Sequence, residues 1–324
     1  MRELGRVVVG MVLSLALLVA CTPASPSTDA EAARETKPVE LGEWTLHGSD
    51  GGASAVFAGD RTIALGRGHA VVWQGDTRVG SFETMAASPG RARAFGDRVV
   101  WGPNLLALDT NTLELRAAAV PEPMPMDQGD VAQAYAWSGA GEWLVRSTSR
   151  IRSGFEVTLH RGSNGERAAT LHRSTGVAPE ALWVGRTWLV LGLSPPEVVD
   201  FEGHRVATIE LDEGSLARLE ANADERWLMA VAINRTIALI DTASWKVVGR
   251  WPGRWADASI TPKGHAVVGL ELDGTLRVAR ASAAGLEELE TLATIERGAS
   301  VQVSDDAIAV VGGGELRQAS LRVR

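Results

Sequence analysis

The sequence contains one cysteine, one tyrosine and five phenylalanines among its 324 residues. A single thiol cannot form an intramolecular disulfide, and it excludes a zinc or iron–sulfur site built from several cysteines. Acidic residues outnumber basic ones by 40 to 32, and the resulting net charge of −8 argues against nucleic acid as a partner. Apolar residues, by contrast, make up 45% of the chain, so we expect it to fold around a core.

The local motifs of common catalytic sites are also missing. The sequence has no Gly-x-Ser-x-Gly elbow, no Gly-x-x-x-x-Gly-Lys loop and no His-Glu-x-x-His. Its six histidines never lie two to five residues apart, so no two of them could form a local metal clip. We therefore predict no catalytic residue, no metal and no cofactor, although a site assembled from distant parts of the chain stays open.

The N-terminus has the layout of a secretory signal. Arg2 and Arg6 lead into the apolar run Val7–Leu18, which is shorter than the roughly 20 residues of a membrane span. The sequence then reads Leu18-Val19-Ala20-Cys21, which resembles the lipobox of bacterial lipoproteins. The resemblance implies cleavage before Cys21 and attachment of lipid to it. The alternative is a buried cysteine behind an ordinary signal or a membrane helix.

Composition divides the chain into three parts. We predict a signal peptide over residues 1–20, a lipidated Cys21 with a flexible tether to residue 40, and a folded domain over residues 41–324. The tether is indicated by prolines, small residues and the absence of apolar periodicity in Thr22–Glu40. The predicted location is the extracytoplasmic side of a bacterial envelope, on the periplasmic face of the outer membrane if there are two membranes, with the membrane contacted through the lipid.

The domain is repetitive, with a period near 40 residues. Seven times an apolar strand leads through a polar turn into a second apolar run, which begins at positions 63, 99, 143, 188, 227, 266 and 308. Such a period is typical of propeller blades. The last unit has only Glu315–Val323 left for its third and fourth strands, whereas Trp44–His47 precedes the first unit. We predict an all-β, seven-bladed propeller of four-stranded antiparallel blades, closed by Trp44–His47. Two antiparallel sandwiches are the alternative fold.

Turns between the outer strands carry a family resemblance. Asp109-Thr110-Asn111-Thr112, Asp241-Thr242-Ala243-Ser244 and the segment Asp273–Val278 resemble bacterial WD-repeat-like, YVTN and quinoprotein-like propeller repeats. The resemblance implies a ring of blades and supplies no cofactor. Similarity to lipoprotein propellers that support outer-membrane protein assembly favours an envelope scaffold whose partner is another envelope protein.

Two connections between blades contain residue types that are common in interfaces. The segment Trp251–Trp255 combines two tryptophans with an arginine. The segment Val120–Asp127 alternates prolines with acidic residues and methionines, whose side chains adapt to partners. Both segments are expected at one face of the ring. The candidate binding residues are Trp251, Arg254, Trp255, Met124 and Met126.

Three functions are compatible with this pattern. A non-catalytic protein-binding or assembly scaffold is favoured. The second is a propeller enzyme, a hydrolase or a quinone-dependent dehydrogenase, which predicts three or more Asp, Glu, His or Arg side chains at the ring axis. The third is a carbohydrate-binding module that uses exposed tryptophans. Trp143, Trp188 and Trp227 begin second strands, and we expect them to pack between blades instead.

Overall fold

The apolar runs of the repeats form β-strands in the computed structural model. It describes residues 38–49, 52–66, 68–83, 92–95, 98–101, 106–117, 131–139, 141–150, 154–179, 181–211, 215–232 and 236–324. Contacts divide the chain into Met1–Lys37 and Pro38–Arg324, and all described residues belong to the second unit. Every helix or strand assigned among them is a β-strand. The predicted signal, Cys21 and the tether up to Lys37 lie outside the described residues.

Two short strands begin the described chain, β1 (Val39–Leu41) and β2 (Thr45–Gly48). Six four-stranded antiparallel sheets then follow one another, which we number as blades 1 to 6. Blade 1 consists of β3 (Gly52–Ala58), β4 (Arg61–Gly66), β5 (His69–Gln74) and β6 (Thr77–Glu83). Blade 2 consists of β7 (Arg93–Phe95), β8 (Arg98–Trp101), β9 (Leu106–Asp109) and β10 (Glu114–Ala117). Blade 3 consists of β11 (Val131–Trp137), β12 (Trp143–Arg150), β13 (Gly154–Arg161) and β14 (Arg167–Ser174). Blade 4 consists of β15 (Leu182–Val184), β16 (Trp188–Leu191), β17 (Glu197–Asp200) and β18 (Arg205–Thr208). Blade 5 consists of β19 (Leu216–Ala221), β20 (Trp227–Ala232), β21 (Thr236–Asp241) and β22 (Lys246–Pro252). Blade 6 consists of β23 (Trp255–Ile260), β24 (Ala266–Glu271), β25 (Thr275–Ser282) and β26 (Gly285–Thr294).

Blade 7 joins the two ends of the described chain. It contains β27 (Ser300–Val303), β28 (Ala307–Gly312) and β29 (Glu315–Val323), and the free edge of β29 pairs with both β2 and β1. Thr45 lies opposite Gln318, and Val39 lies opposite Val323. The predicted seven-bladed ring, closed by the N-terminal strand, is confirmed. Among the described residues, strand structure already includes Val39, two residues before the predicted start of the domain at residue 41, and Val39 is only 2% exposed.

The first strand of each blade is innermost, and the apolar core lies between neighbouring blades. Between blades 1 and 2, for example, Ile63, Leu65 and Val72 share a cluster with Val99 and Trp101.

Because successive strands are antiparallel, the first–second and third–fourth turns of every blade lie at one end of the ring. We call this the turn end. The second–third turns and the links between blades lie at the opposite end, which we call the link end.

Tryptophans at the start of second strands fill the gaps between blades 3 to 6. The ring of Trp143 lies 5.4 Å from that of Phe201 in blade 4, and the ring of Trp188 lies 4.6 Å from that of Trp245 in blade 5. Trp227 packs against a buried cluster drawn from blades 5 and 6. The predicted packing of these three rings is confirmed.

Candidate functional site

Ionisable side chains on the innermost strands meet at the centre of the ring. Arg218 of β19 is 7% exposed and reaches across blades 6 and 7. Its Nη1 donates to Asp257 Oδ1 at 2.9 Å and to the carbonyl oxygen of Val301 at 3.2 Å, and its Nη2 donates to Gln302 Oε1 at 2.9 Å. The same Nη2 forms an ion pair with Glu220 on its own strand. One guanidinium thus connects the inner strands of blades 5, 6 and 7.

The two carboxylates beside Arg218 have further donors. Asp257 Oδ2 accepts a hydrogen bond from the Ser300 hydroxyl at 2.9 Å. Glu220 Oε1 accepts from the Ser259 hydroxyl at 3.2 Å and from the Gln302 amide at 3.3 Å. A charge buried to this degree is tolerated when it is paired and hydrogen-bonded. We call this group the axial cluster; it consists of Arg218, Glu220, Asp257, Ser259, Ser300 and Gln302.

The charge state of Arg218 follows from these contacts. Burial on its own would lower the pKa of the guanidinium, because a low dielectric disfavours the charged form. The charges and hydrogen bonds of Asp257 and Glu220 outweigh that effect, and the pKa of Arg218 is raised above its ordinary value. The arginine is therefore a permanent cation held between two anions.

A second arginine makes a similar connection on the other side of the ring. Arg93 of β7 donates to the carbonyl oxygens of Trp137 in blade 3 and, at 3.4 Å, of Val184 in blade 4. Its guanidinium carbon also lies 3.8 Å from the ring centroid of Trp183 in blade 4. Burial lowers the pKa of Arg93 to about 10, against the opposing charges of Glu225 and Glu220, so the side chain is still cationic at neutral pH.

Among the described residues, four ionisable side chains lie at the axis, Arg93, Arg218, Glu220 and Asp257, and the enzyme alternative predicts three or more. Their arrangement is that of inter-blade connections, since each of them contacts a protein group on another blade or pairs with one that does. No group of three His, Cys, Asp or Glu side chains among the described residues could hold a metal ion.

The predicted Trp251–Trp255 segment lies differently from expectation. Trp251 and Trp255 are 4% and 2% exposed, with ring centroids 4.5 Å apart, in the core between blades 5 and 6. Trp255 Nε1 donates to the Trp251 carbonyl oxygen at 2.9 Å, which fixes the link. Only Arg254 of the three candidates is exposed. The expected exposed pair of rings is absent because β22 and β23 extend into the segment and leave a link of only two residues.

The remaining predicted site residues, Cys21, Met124 and Met126, lie outside the described residues. All eleven tryptophans are described, and each is buried or partly buried.

The axial cluster was not predicted from the sequence. Its visible signal is a charged residue inside an otherwise apolar innermost strand, as at Arg218 in β19 and Asp257 in β23.

Comparisons with known proteins add no family. Models of known protein families give no match, and curated protein sequences include no significantly similar relative. In the part of the chain that the structure describes, no helix is long and apolar enough to cross a membrane.

Proposed function

We propose that this chain is a lipid-anchored lipoprotein of the bacterial envelope, and that its propeller is a non-catalytic platform for another envelope protein. The anchoring half of the proposal is supported by the sequence. Cys21 is the only cysteine in the chain, and it follows Leu18-Val19-Ala20 at the end of the apolar run. Two or more acyl chains on that residue would give stable attachment, because one chain binds a membrane only marginally.

The platform half is supported by exposed side chains at the link end. Leu272, in the second–third turn of blade 6, is 49% exposed. Its N–H donates at 2.8 Å to the carbonyl oxygen of Arg254, whose side chain is exposed in the link between blades 5 and 6. An exposed aliphatic side chain beside an arginine is a combination found in protein interfaces. Val177, in the link between blades 3 and 4, is 86% exposed at the same end.

The point at which the chain enters the ring favours the same end for a partner. Arg324 N donates to the Pro38 carbonyl oxygen at 2.9 Å, where β29 finishes at the turn end. The N-terminal segment therefore joins the ring at the turn end. A partner bound at the link end would leave that attachment point free.

Anchoring is tested by fractionating cells that produce the full chain. We expect the wild type in the membrane fraction and the Cys21→Ser variant in the soluble extracytoplasmic fraction. Ser25→Ala, in the predicted tether, is the matched control and should stay with the membrane. Membrane retention of Cys21→Ser would reject lipid anchoring.

Partner binding is tested by placing a photo-crosslinking amino acid at single positions of the full chain in cells. Position 272 is expected to give one discrete crosslinked species, which Arg254→Glu should weaken at least fivefold. Ala243, exposed in a third–fourth turn at the turn end, is the control position and should give none. Equal adducts at positions 272 and 243, or none at 272 and 177, would reject a link-end platform.

The enzyme alternative is favoured by one observation, the four ionisable side chains at the axis. It predicts that a variant such as Glu220→Gln abolishes turnover of a substrate while leaving the unfolding midpoint unchanged. The platform proposal predicts the opposite, because Glu220 pairs with Arg218 and Gln302 across blades. Comparing the denaturant midpoints of wild type and Glu220→Gln distinguishes the two.

The carbohydrate alternative predicts exposed tryptophans as the binding surface. Trp251 and Trp255, the two rings expected to form it, are buried.

A further inference from the structure

A cleft opens at the turn end between blades 2 and 3. Its volume is about 500 Å³, and its lining combines two arginines, one glutamate, one tryptophan and three small residues: Arg98, Arg161, Glu142, Trp143, Gly141, Gly162 and Ser163. Sites for small organic molecules have volumes of roughly 300–1,000 Å³. The cleft is therefore large enough for one such molecule.

The cleft exists because an aromatic contact found between later blades is missing here. Between blades 4 and 5, Trp188 at the start of a second strand meets the ring of Trp245 in the third–fourth turn of the next blade. Arg98 occupies the position of Trp188 in blade 2. The facing turn of blade 3 offers Gly162 and Ser163 where the later blades have a ring. Two aromatic side chains are thus replaced by an arginine and two small residues.

On the blade 3 side of the cleft, two glycines bring the backbone of both turns close together. Gly162 N donates to the Glu142 carbonyl oxygen at 2.7 Å, which holds the two turns of blade 3 together. A Cβ atom at Gly162 would lie 1.9 Å from the Gly141 carbonyl oxygen, so no larger residue fits there without moving the turn. The close backbone approach therefore keeps a larger side chain out of this position.

The two arginines of the cleft differ from other arginines of the ring in their ionic contacts. Among the described residues, no carboxylate oxygen forms an ion pair with Arg98 or Arg161, whereas Arg277 pairs with Glu271 at 2.8 Å. The guanidinium carbon of Arg161 lies 5.6 Å from the centroid of the Trp143 ring, which is within the range of a cation–π contact.

The nearest acid to Arg98 in the sheet register is Asp109. Asp109 Oδ1 already accepts hydrogen bonds from the N–H groups of Asn111 and Thr112, both at 2.9 Å. The bond from Thr112 is the largest cause of the lowered pKa of Asp109. Burial opposes the shift, and the bond from Asn111 and the charge of Arg98 add to it. Among the described residues that line the cleft, Glu142 supplies one negative charge against two positive ones, in a chain whose net charge is −8.

We propose that this cleft binds a small organic oxyanion, a carboxylate or a phosphate ester, with Arg98 and Arg161 contacting the anionic group. Guanidinium groups present paired donors that match carboxylate and phosphate oxygens. The hydroxyl of Ser163 and the carboxylate of Glu142 are placed to contact the uncharged body of the ligand. The proposal does not depend on lipid anchoring or on a partner at the link end.

The test uses three ligands with one sugar body: glucuronate, glucose 6-phosphate and glucose. Calorimetric titration of the full chain in detergent should show at least one of the two anions binding ten times more tightly than glucose, and which one binds identifies the oxyanion. Affinity should fall as salt is raised, because the attraction is electrostatic. Equal binding of glucose, or binding of none of the three, would overturn the proposal.

Variants test the location. Arg98→Gln and Arg161→Gln should each weaken binding of the anion at least tenfold. Each should lower the melting temperature only slightly, since neither side chain forms an ion pair among the described residues and the contact of Arg161 with Trp143 is made by an exposed side chain. Arg322→Gln, at an exposed arginine of β29 in blade 7, is the control and should bind like wild type. Ser163→Phe should fill the cleft and abolish binding while leaving both charges in place. Wild-type affinity in Arg98→Gln and Ser163→Phe would place the site elsewhere and reject the inference.

Discussion

Arg218 Nη1 lies 2.9 Å from Asp257 Oδ1, which joins the innermost strands of blades 5 and 6 by a salt bridge between residues that are 7% and 4% exposed. Arg93 makes the equivalent connection among blades 2, 3 and 4 through backbone carbonyls and an indole ring. A ring of separate sheets has no continuous hydrogen-bonded ladder around its axis, so these contacts supply polar connections between blades.

Replacing Arg218 by methionine should destabilise the ring by about 3–5 kcal/mol, because Asp257 would keep a buried charge without its partner. Arg280→Met is the control: Arg280 pairs with Glu287 at 3.1 Å with both side chains exposed, and its loss should cost less than about 1 kcal/mol. Urea unfolding measures both. The double variant Arg218→Met with Asp257→Leu should be more stable than the sum of its single changes indicates. Strict additivity would show that the pair does not stabilise the ring.

Ring closure predicts a large difference between two truncations of the chain. A chain starting at Pro38 keeps β1 and β2, whereas one starting at Ser49 lacks both and exposes the edge of β29. We expect the shorter chain to lose at least 3 kcal/mol, because the buried side chain of Val39 and the pairing of both strands are lost. Chemical denaturation compares the two. A peptide of residues 38–48 added to the shorter chain should restore part of the loss, and identical midpoints without it would reject closure.

The ring could be predicted from the sequence because its signal is repeated. Seven similar units reveal a period even when individual strands are weak, and the shortage of a strand at one end matches a spare strand at the other. The strand β1 was missed because it has three residues and follows a proline-containing segment, so it shows no periodicity of its own. Pairing with β29 makes it a strand, and that partner lies nearly the whole length of the domain away.

The sequence predicts an exposed Trp251–Trp255 segment and does not predict the axial cluster. These two errors have different physical origins. Trp251-Pro252-Gly253-Arg254-Trp255 has the composition of a loop, but β22 continues through Pro252 on the outer edge of its blade, where proline removes no needed donor. Both rings then turn inward and cover apolar surface. The axial cluster shows in the sequence only as a charged residue inside an apolar innermost strand. Its members Arg218 and Gln302 are 84 residues apart, and only the curvature of the ring brings them together.

Alanine substitutions at three glycines test the backbone geometry in increasing order of expected cost. Gly48 has free space around it, Gly59 has a φ of +60° with free space, and Gly274 has a φ of +90° with the Ile295 carbonyl oxygen 2.1 Å from the position of a Cβ. Alanine at Gly48 should change the free energy of unfolding by less than about 0.5 kcal/mol. At Gly59 it should cost about 1–2 kcal/mol of left-handed strain. At Gly274 steric overlap adds a further 1–3 kcal/mol, roughly. Any other rank order of the three midpoints would contradict this backbone geometry.

The pH dependence of stability has a specific source in blade 3. His160 is 1% exposed, with Nε2 2.9 Å from the Thr158 hydroxyl and Nδ1 3.1 Å from the Gly165 carbonyl oxygen. Burial lowers its pKa from 6.5 to about 4, although the bond to Gly165 opposes the shift. Above pH 6.5 the imidazole is neutral in both the folded and the unfolded chain, so it adds no pH dependence there. Between pH 6.5 and 4 the unfolded chain binds a proton that the folded chain does not.

Stability should therefore fall as the pH is lowered from 6.5 to 4, with a contribution from His160 of at most about 1.4 kcal/mol per pH unit. His160→Gln removes the titrating group, so the difference in unfolding free energy between wild type and variant should shrink, or reverse, across this range. Thr158→Val is the second variant: it removes the hydroxyl bonded to Nε2 but keeps the imidazole, so it should be less stable than wild type and should keep a pH-dependent slope that His160→Gln lacks. Urea titrations at half-unit pH intervals measure all three chains. If the slope of His160→Gln equals that of wild type, the imidazole of His160 is not the group that titrates, and the acid sensitivity of the ring comes from other groups, among them His265, whose pKa burial also lowers.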